Sequence, residues 1–187
     1  MKFQFTVNLT DEDYLDYNLF WQFKSPYGKK QVIELRILLA IIVGLLAFVA
    51  LLEGDFTQEA FLDCIPYAIA LVLLEIFFKR IFLWIFKGYI KSLNKKGKKG
   101  YSPFSTMEFY DDVFVEVTPE NKTEAKYSAI ERVSIVDCKV IYLHANNLLA
   151  YILPLSSFET RAQYDDFIQF IKTKCLIVDE YTMSAMK

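Results

Sequence analysis

The longest uninterrupted apolar run of the chain, ILLAIIVGLLAFVALL, covers residues 37–52 and contains neither a charge nor a proline. Leu35 and Arg36 extend it toward the roughly 20 residues that a helix needs to cross a bilayer, and the long Arg36 side chain can reach the headgroups. A surface helix of a soluble domain normally keeps one polar face. The run therefore predicts a transmembrane helix over about residues 35–52.

A second apolar run, IPYAIALVLLEIFFKRIFLWIF, predicts a second span over about residues 63–84. At about 1.5 Å per residue it is long enough to cross a hydrocarbon core about 30 Å thick. Its charged residues leave two layouts open. In the layout that we favour, the span ends near Phe78 and residues 81–86 lie along the interface, because fewer charges are then buried. In the other, the span continues to Trp84.

The charges that flank the two runs predict their orientation. The intervening segment, EGDFTQEAFLDC, carries four acids and no base, whereas residues 79–100 carry eight bases and no acid. Cytoplasmic loops are the ones enriched in Lys and Arg. We therefore expect a multi-pass protein of the cytoplasmic membrane, formed around a two-helix hairpin, with both termini in the cytoplasm.

The basic and aromatic residues around the spans are expected at the membrane interface. Each Lys or Arg near an anionic surface contributes about 1 kcal/mol to membrane binding. The apolar residues beside them, residues 83–86, suit lipid better than a nucleic-acid groove, so we expect a bilayer as partner and no nucleic acid. The predicted interface residues are Trp21, Arg36, Lys79, Arg80, Trp84, Lys87, Lys91, Lys95 and Lys96.

Glu75 is the polar residue expected inside the membrane. Lys79 follows it by four positions, which is the favourable spacing for an ion pair on a helix. An acid within a span is a candidate functional residue, but pairing with Lys79 or Arg36 also lowers its cost. We favour the structural interpretation, in which Glu75 is neutralised by one of these bases.

The N-terminal residues 1–31 predict a strand and an aromatic-rich helix. Apolar residues alternate with polar ones from Phe3 to Leu9, as in a half-buried strand. Thr10 and Asp13 are spaced as a capping box for the following helix. The helix carries five aromatic residues and could rest on the membrane or pack on the soluble domain, and the two alternatives are equally supported. Residues 25–28, SPYG, are expected to end it.

The part after the hairpin divides into a basic linker, a β domain and a tail. We place the linker at residues 88–103 after a hairpin covering residues 32–87. Residues 104–175 contain six short candidate strands followed by an amphipathic helix, which a capping box at Ser156 and Glu159 would begin. One face of that helix should be buried: Tyr164, Phe167, Ile168, Ile171 and Cys175. Residues 176–187 are expected to fray.

The resulting fold class is an α+β membrane protein. With the N-terminal strand, seven antiparallel strands and one C-terminal amphipathic helix follow a pleckstrin-homology-like plan, into which the hairpin is inserted after the first strand. The order TDEDYLDYNLF, SPYGKK, two apolar runs, a lysine-rich segment, YSAIERVSIVDCKVIYLH, AYILPLSSF and FIQFIK resembles the YcxB-like family of bacterial membrane proteins over nearly the whole chain. The resemblance implies a membrane-anchored, pleckstrin-homology-like cytoplasmic domain and assigns no catalytic or binding residue.

Composition and motifs narrow the function classes. The chain has one histidine, three cysteines without metal-binding spacing, and no glycine-rich phosphate loop or nucleophile motif. We therefore expect no catalytic activity, no metal and no cofactor. Residues 101–187 carry thirteen acids and eight bases, a net charge of -5, which disfavours a phosphoinositide pocket.

Two functions remain. The favoured hypothesis is a membrane-anchored cytoplasmic binding or regulatory module, in which a sheet edge or groove receives an unknown protein or peptide partner. The alternative is a small transport or channel subunit. Because two spans cannot enclose a pathway, such a subunit must form a homo-oligomer, and Glu75 would line its path.

Overall fold

A computed structural model describes residues 1–97, 99–146 and 149–182. The chain forms two compact units. The first, here called the β unit, consists of Met1–Phe20 and Leu93–Lys187, and the second, the helical unit, consists of Trp21–Ser92. The β unit is an α+β domain with two sheets that are mostly antiparallel.

The first sheet is an antiparallel meander in the order β1-β2-β3-β4. Its strands are β1 (Phe3–Asn8), β2 (Phe104–Phe109), β3 (Val113–Val117) and β4 (Lys122–Lys126). Phe3 pairs with Phe109 and Asn8 with Phe104, so the N-terminal strand is the neighbour of the first strand that follows the helical unit. Turns at residues 111–112 and 119–121 join β2 to β3 and β3 to β4.

The second sheet has the order β7-β6-β5-β8. Its strands are β5 (Arg132–Val136), β6 (Val140–His144), β7 (Ala150–Pro154) and β8 (Val178–Tyr181). All pairs are antiparallel except β5 with β8. The β5–β6 hairpin turns through Asp137 and Cys138, which both have positive φ, as a type I′ turn requires.

One aromatic core joins the two sheets to helix α5 (Arg161–Lys174). The Phe167 ring lies 5.0 Å from Phe5 and 4.8 Å from Phe109, in both cases edge to face. Tyr164, Ile171 and Cys175 are also buried, and Ile168 packs against the same core, which confirms the predicted face of the helix. Closing the sandwich with α5 removes these apolar side chains from water, the main driving force of folding.

Helix α1 (Asp11–Phe23) covers the other face of the second sheet. Tyr17 and Phe20 each lie 5.1 Å from the Tyr142 ring, and Phe20 lies 5.0 Å from Tyr181. With both faces covered, β5, β6 and β7 are buried along most of their length. For Tyr17 and Phe20, the structure therefore supports packing on the soluble domain. The Thr10–Asp13 capping box is present as predicted.

The C-terminal part of the β unit differs from the sequence prediction at two points. Helix α5 begins after Thr160, whose hydroxyl accepts from the Gln163 amide, because residues 155–157 instead form a short 3₁₀ turn. The prediction of a capping box at Ser156 and Glu159 was therefore wrong. The expected fraying from residue 176 was also wrong in part, since Val178–Tyr181 is strand β8 and completes the edge of β5.

The helical unit contains helices α2 (Pro26–Glu53), α3 (Gln58–Asp63) and α4 (Ile65–Lys95), the last of which continues into the β unit. Ser25 both follows the end of α1 and caps α2, with Pro26 in the first turn. Gly28 packs so closely on the end of α1 that a Cβ atom there would overlap the Trp21 carbonyl oxygen. The residues expected to end one helix therefore also begin the next.

Among the described residues, α2 alone is long and apolar enough to cross a membrane by length and composition, and none of its most apolar window is buried in the protein. Helix α4 does not meet the same criterion because Glu75, Lys79 and Arg80 interrupt its apolar stretch. It is continuous to Lys95. Residues 88–95, assigned from the sequence to a linker, are its last two turns, since no proline or turn signal stops the helix there.

Candidate functional site

Two regions bring polar side chains together in an apolar setting, one in each unit. In the helical unit, Arg36 of α2 lies beside Glu75 of α4, with 3.4 Å between Nε and Oε2. The Arg36 guanidinium also lies 4.7 Å from the centroid of the Phe78 ring. The distance is that of an ion pair, but the angle is not that of a hydrogen bond, since Arg36 Nε has no hydrogen-bond partner among the described residues. Arg36 is thus a neutralising partner for Glu75, as one sequence interpretation expected.

Five of the predicted interface residues, all on α4, share one helical face. Arg80, Trp84, Lys87, Lys91 and Lys95 follow one another at spacings of three or four residues, which places them on the same side of a helix. Arg80 lies over the Phe77 ring at 5.7 Å, and the Trp84 side chain is 76% exposed. An apolar stretch therefore leads directly into a basic, aromatic stretch on this face.

Three predicted interface residues lie off that face. Lys79 is one position from Arg80 on α4, and Lys96 follows the C-terminus of the helix. Trp21 lies near the end of α1, with its ring 5.7 Å from Tyr27. The basic residues of 79–100 are thus divided between α4 and the segment that follows the helix.

A half-open cavity of about 230 Å³ lies within the β unit, between α1, the 100–102 segment, β3 and β7. Sequence reasoning did not identify it, because its residues come from four separate stretches of the chain. The polar and aromatic residues that line it include Tyr14, Tyr17, Asn18, Tyr101, Glu116 and Tyr151.

Glu116 is the charged group of this cavity. It lies two residues after Phe114 on β3, so both side chains point to the face of the first sheet that meets the core. It is paired across the sheet with Met107, which is buried, while Glu116 itself is partly buried. Burial raises the pKa of the Glu116 carboxyl, and a hydrogen bond from Ser105 partly opposes this increase. No described Lys or Arg forms an ion pair with Glu116.

The α1 wall of the cavity supplies further polar groups. Tyr17 is 7% exposed, and its hydroxyl has no hydrogen-bond partner among the described residues; burial raises its pKa to about 12. Asn18 donates its amide to the Tyr14 carbonyl oxygen at 2.6 Å, and its own side-chain oxygen is an acceptor. Buried polar groups of native proteins are normally paired, so Tyr17 marks an incompletely satisfied site.

The rim of the cavity near Tyr101 is held by α1, the last turn of α4 and the segment that follows it. The Tyr101 hydroxyl donates to Asp11 Oδ1 at 2.6 Å, and Asn94 donates to the other carboxylate oxygen at 2.6 Å. These bonds, with Lys99 nearby, lower the pKa of the Asp11 carboxyl. Gly100 gives the Tyr14 hydroxyl room, since a Cβ atom at residue 100 would lie 2.5 Å from it. The Tyr14 and Tyr101 rings lie 5.0 Å apart in a tilted arrangement.

The single histidine lies outside this cavity. His144 Nε2 is 3.1 Å from the Ser134 hydroxyl, and both residues are buried. Burial, with a smaller contribution from Arg132, lowers the pKa of His144 to about 4. The rings of Phe20 and Tyr142 flank the imidazole, so this pair is sealed against substrate and belongs to the packing of α1 on the second sheet. Within residues 1–97, 99–146 and 149–182, no group of three His, Cys, Asp or Glu is placed to hold a metal.

Comparison of the chain with family models, with curated proteins and with solved structures found no match. The resemblance to YcxB-like proteins therefore stays a prediction. The functional interpretation depends on the apolar helices and on the cavity themselves.

Proposed function

We propose that this protein is a membrane-anchored binding or regulatory module, in which α2 and α4 hold the β unit at the cytoplasmic membrane. The observation that carries the proposal is the exposed apolar surface of α2. Four of its apolar side chains are each about half exposed: Leu38, Ile41, Leu45 and Leu52. This stretch of the helix has no polar face that could be turned to water instead. Contiguous apolar surface of this extent is typical of contact with lipid or a partner.

Strand pairing supports a second crossing by α4. Strand β1 precedes the helical unit, β2 follows it, and the two are hydrogen bonded along six residue pairs. Both strands must therefore be on the same side of any membrane that the intervening chain enters. If α2 crosses, the chain has to return, and α4 is the described helix with the length to do so.

The Arg36–Glu75 pair supports this arrangement energetically. A charge within the hydrocarbon core is costly unless it is paired or reaches the headgroups. Pairing across α2 and α4 satisfies two charges with one contact, while Lys87, Lys91 and Lys95 follow at the end that would face the cytoplasm. Pairing within one chain also favours a structural role for Glu75 over a role in lining a channel.

The β unit supplies the binding part of the proposal. Its seven antiparallel strands and closing helix agree with a pleckstrin-homology-like plan, to which β8 adds a parallel edge. The plan alone assigns no ligand. The cavity around Glu116 is the feature of this unit with the chemistry of a binding site, and the proposed role is noncatalytic.

Labelling of single cysteines tests the anchoring. Two single-cysteine variants are compared. One keeps only Cys138, which is exposed in the β unit. The other carries Glu59→Cys in the segment between the two long helices, with the native cysteines replaced by Ser. In intact bacterial cells, an impermeant maleimide should label the cysteine at residue 59 and leave Cys138 unlabelled until the cells are permeabilised. Release of the protein by alkaline carbonate, or labelling of Cys138 in intact cells, would contradict the proposal.

A further inference from the structure

The cavity of the β unit has an unusual polar residue in its lining. An interior-facing position on a strand normally carries an apolar side chain, as Phe114 and Met107 do here. Glu116 occupies such a position without a basic partner among the described residues. A carboxylate placed there lowers the stability of the fold, so its presence requires a reason other than packing.

The residues that line the cavity with Glu116 supply hydroxyl groups, a side-chain amide and aromatic rings. The Asn18 side-chain oxygen and the Tyr17 hydroxyl come from α1, and Tyr151 comes from β7. Glu116 raises the pKa of the Tyr151 hydroxyl, after the larger effect of burial, which shows that the carboxylate and this phenol are electrostatically close. Acidic Asp11 and Asp13 act in the same way on Tyr101 at the rim. Glu116 is thus the charged residue of the lining, and two further carboxylates act on the tyrosine at the rim.

Aromatic rings near a carboxylate provide the two interactions that favour an alkylammonium ion, a charge-assisted hydrogen bond and a cation–π contact. A rim tyrosine already makes such a contact, since the Lys99 ammonium lies 5.3 Å from the centroid of the Tyr101 ring. The volume of about 230 Å³ far exceeds the roughly 30 Å³ of one water molecule. The cavity can therefore receive a side-chain-sized group.

We propose that the cavity between α1, β3 and β7 binds a primary alkylammonium group, with Glu116 as its counter-ion and Tyr17, Asn18 and Tyr151 around its stem. The group can belong to a small free amine or to a lysine side chain of a peptide. The inference deepens the proposed binding role by giving the ligand a chemical class.

The test is a titration of the full chain in detergent micelles, with 3-fluorotyrosine incorporated and followed by ¹⁹F NMR. The Tyr17 and Tyr151 signals are assigned from Tyr17→Phe and Tyr151→Phe variants. The probes are n-butylammonium chloride and acetyl-lysine methylamide, with 1-butanol, acetyl-norleucine methylamide and KCl as controls. We expect saturable shifts of these two signals with at least one ammonium probe and no saturable shift with the three controls.

Glu116→Gln should abolish or reduce the response at least tenfold, whereas Glu124→Gln should leave it unchanged. Glu124 is a matched control because it is an exposed carboxylate on the adjoining strand β4. Dispersed fluorotyrosine signals and an unchanged thermal midpoint, or a higher one, establish that Glu116→Gln is folded.

The two ammonium probes distinguish the source of the group. A stronger response to n-butylammonium indicates a free amine, and a stronger response to the lysine derivative indicates a peptide partner. The inference is overturned if neither ammonium binds, if 1-butanol or KCl gives the same shifts, or if Glu116→Gln retains binding. Because the titration is made in micelles, its failure leaves the topology labelling unaffected, and failure of the topology labelling leaves the titration interpretable.

Discussion

Arg36 of α2 and Glu75 of α4 form an ion pair, with 3.4 Å between Nε and Oε2. We expect Glu75→Leu to destabilise the contact of α2 with α4 by about 2–3 kcal/mol, because in the proposed membrane arrangement it leaves the Arg36 charge unpaired. Unfolding of the protein in mixed micelles by increasing fractions of SDS measures this change.

A double variant provides the control for that pair. Arg36→Leu combined with Glu75→Leu removes both charges and should recover most of the lost stability, since two matched apolar residues replace a matched pair. If the single and double variants are equally unstable, the contribution of Glu75 does not depend on Arg36. If Glu75→Leu is neutral, the pair has no role in helix packing.

Gly28 should be intolerant of a side chain. A Cβ atom there overlaps the Trp21 carbonyl oxygen and lies 2.8 Å from the Gln22 Cα, so Gly28→Ala forces α1 and α2 apart. We expect a loss of at least about 1–3 kcal/mol. Gly44→Ala is the matched control on α2, because nothing lies within 4 Å of its added Cβ. Equal thermal midpoints for the two variants would show that the close approach is not maintained in solution.

Local patterns in the sequence predict much of the β unit. The six strands predicted after residue 104, the cap of α1 and the buried face of α5 agree with the structure, because each depends on residues a few positions apart. Strand β8 does not. Its residues, VDEY, lack a strong strand pattern, and they are ordered by pairing with β5 and by contacts to Phe20 and Arg132.

The cavity illustrates the same limit at the level of the site. Along β3, Val113, Val115 and Val117 alternate with Phe114 and Glu116, so both faces of the strand carry apolar residues and the period-two pattern does not distinguish the core face. In the structure Phe114 and Val115 are both buried, and Glu116, which is partly buried, lies on the same face as Phe114. The sequence does show that Glu116 lies two positions after Phe114 and therefore on the same face of the strand. The residues of α1 and β7 that complete the cavity cannot be inferred from sequence spacing.

Tyr181 should be important for the ordering of β8. Its ring lies 5.0 Å from Phe20, and its hydroxyl accepts from Arg132 Nη1 at 3.2 Å. We expect Tyr181→Ala to cost about 2–4 kcal/mol, as for a large-to-small change at a packed aromatic site, and to speed amide exchange in β5. Tyr181→Phe keeps the ring and should cost about 1 kcal/mol. If both variants exchange like the wild type, β8 does not contribute to the stability of the sheet.

His144 should make the β unit less stable in mild acid. Its pKa in the folded state is about 4, below the ordinary 6.5, so the unfolded chain binds the proton first as pH falls. The stabilisation is complete above pH 6.5, decreases between pH 6.5 and 4, and changes no further below. The loss is up to about 3 kcal/mol, at about 1.4 kcal/mol per pKa unit. Urea unfolding followed by fluorotyrosine signals at pH 7 and 4.5 measures it, and His144→Gln should reduce the difference by that amount. An unchanged difference would show that His144 is already accessible to protons in the fold.

Glu116→Gln should stabilise the β unit at pH 7, whereas replacing a residue with a satisfied interaction would destabilise it. Burial raises the pKa of the folded carboxyl, so its ionisation opposes folding, and stability decreases as pH rises from about 4.5 through the raised value. The amide keeps the size of the side chain and a partner for Ser105 without the charge. We expect a gain of about 0.5–2 kcal/mol, the range of other single stabilising substitutions, in urea unfolding at pH 7. The gain should disappear near pH 4, where the wild-type carboxyl is also uncharged.

Glu124→Gln, at an exposed position, should leave the stability unchanged at both pH values. A loss of stability in Glu116→Gln at pH 7 would mean that the ionised carboxylate is already satisfied within the fold, and the case for an external cation would fail with it.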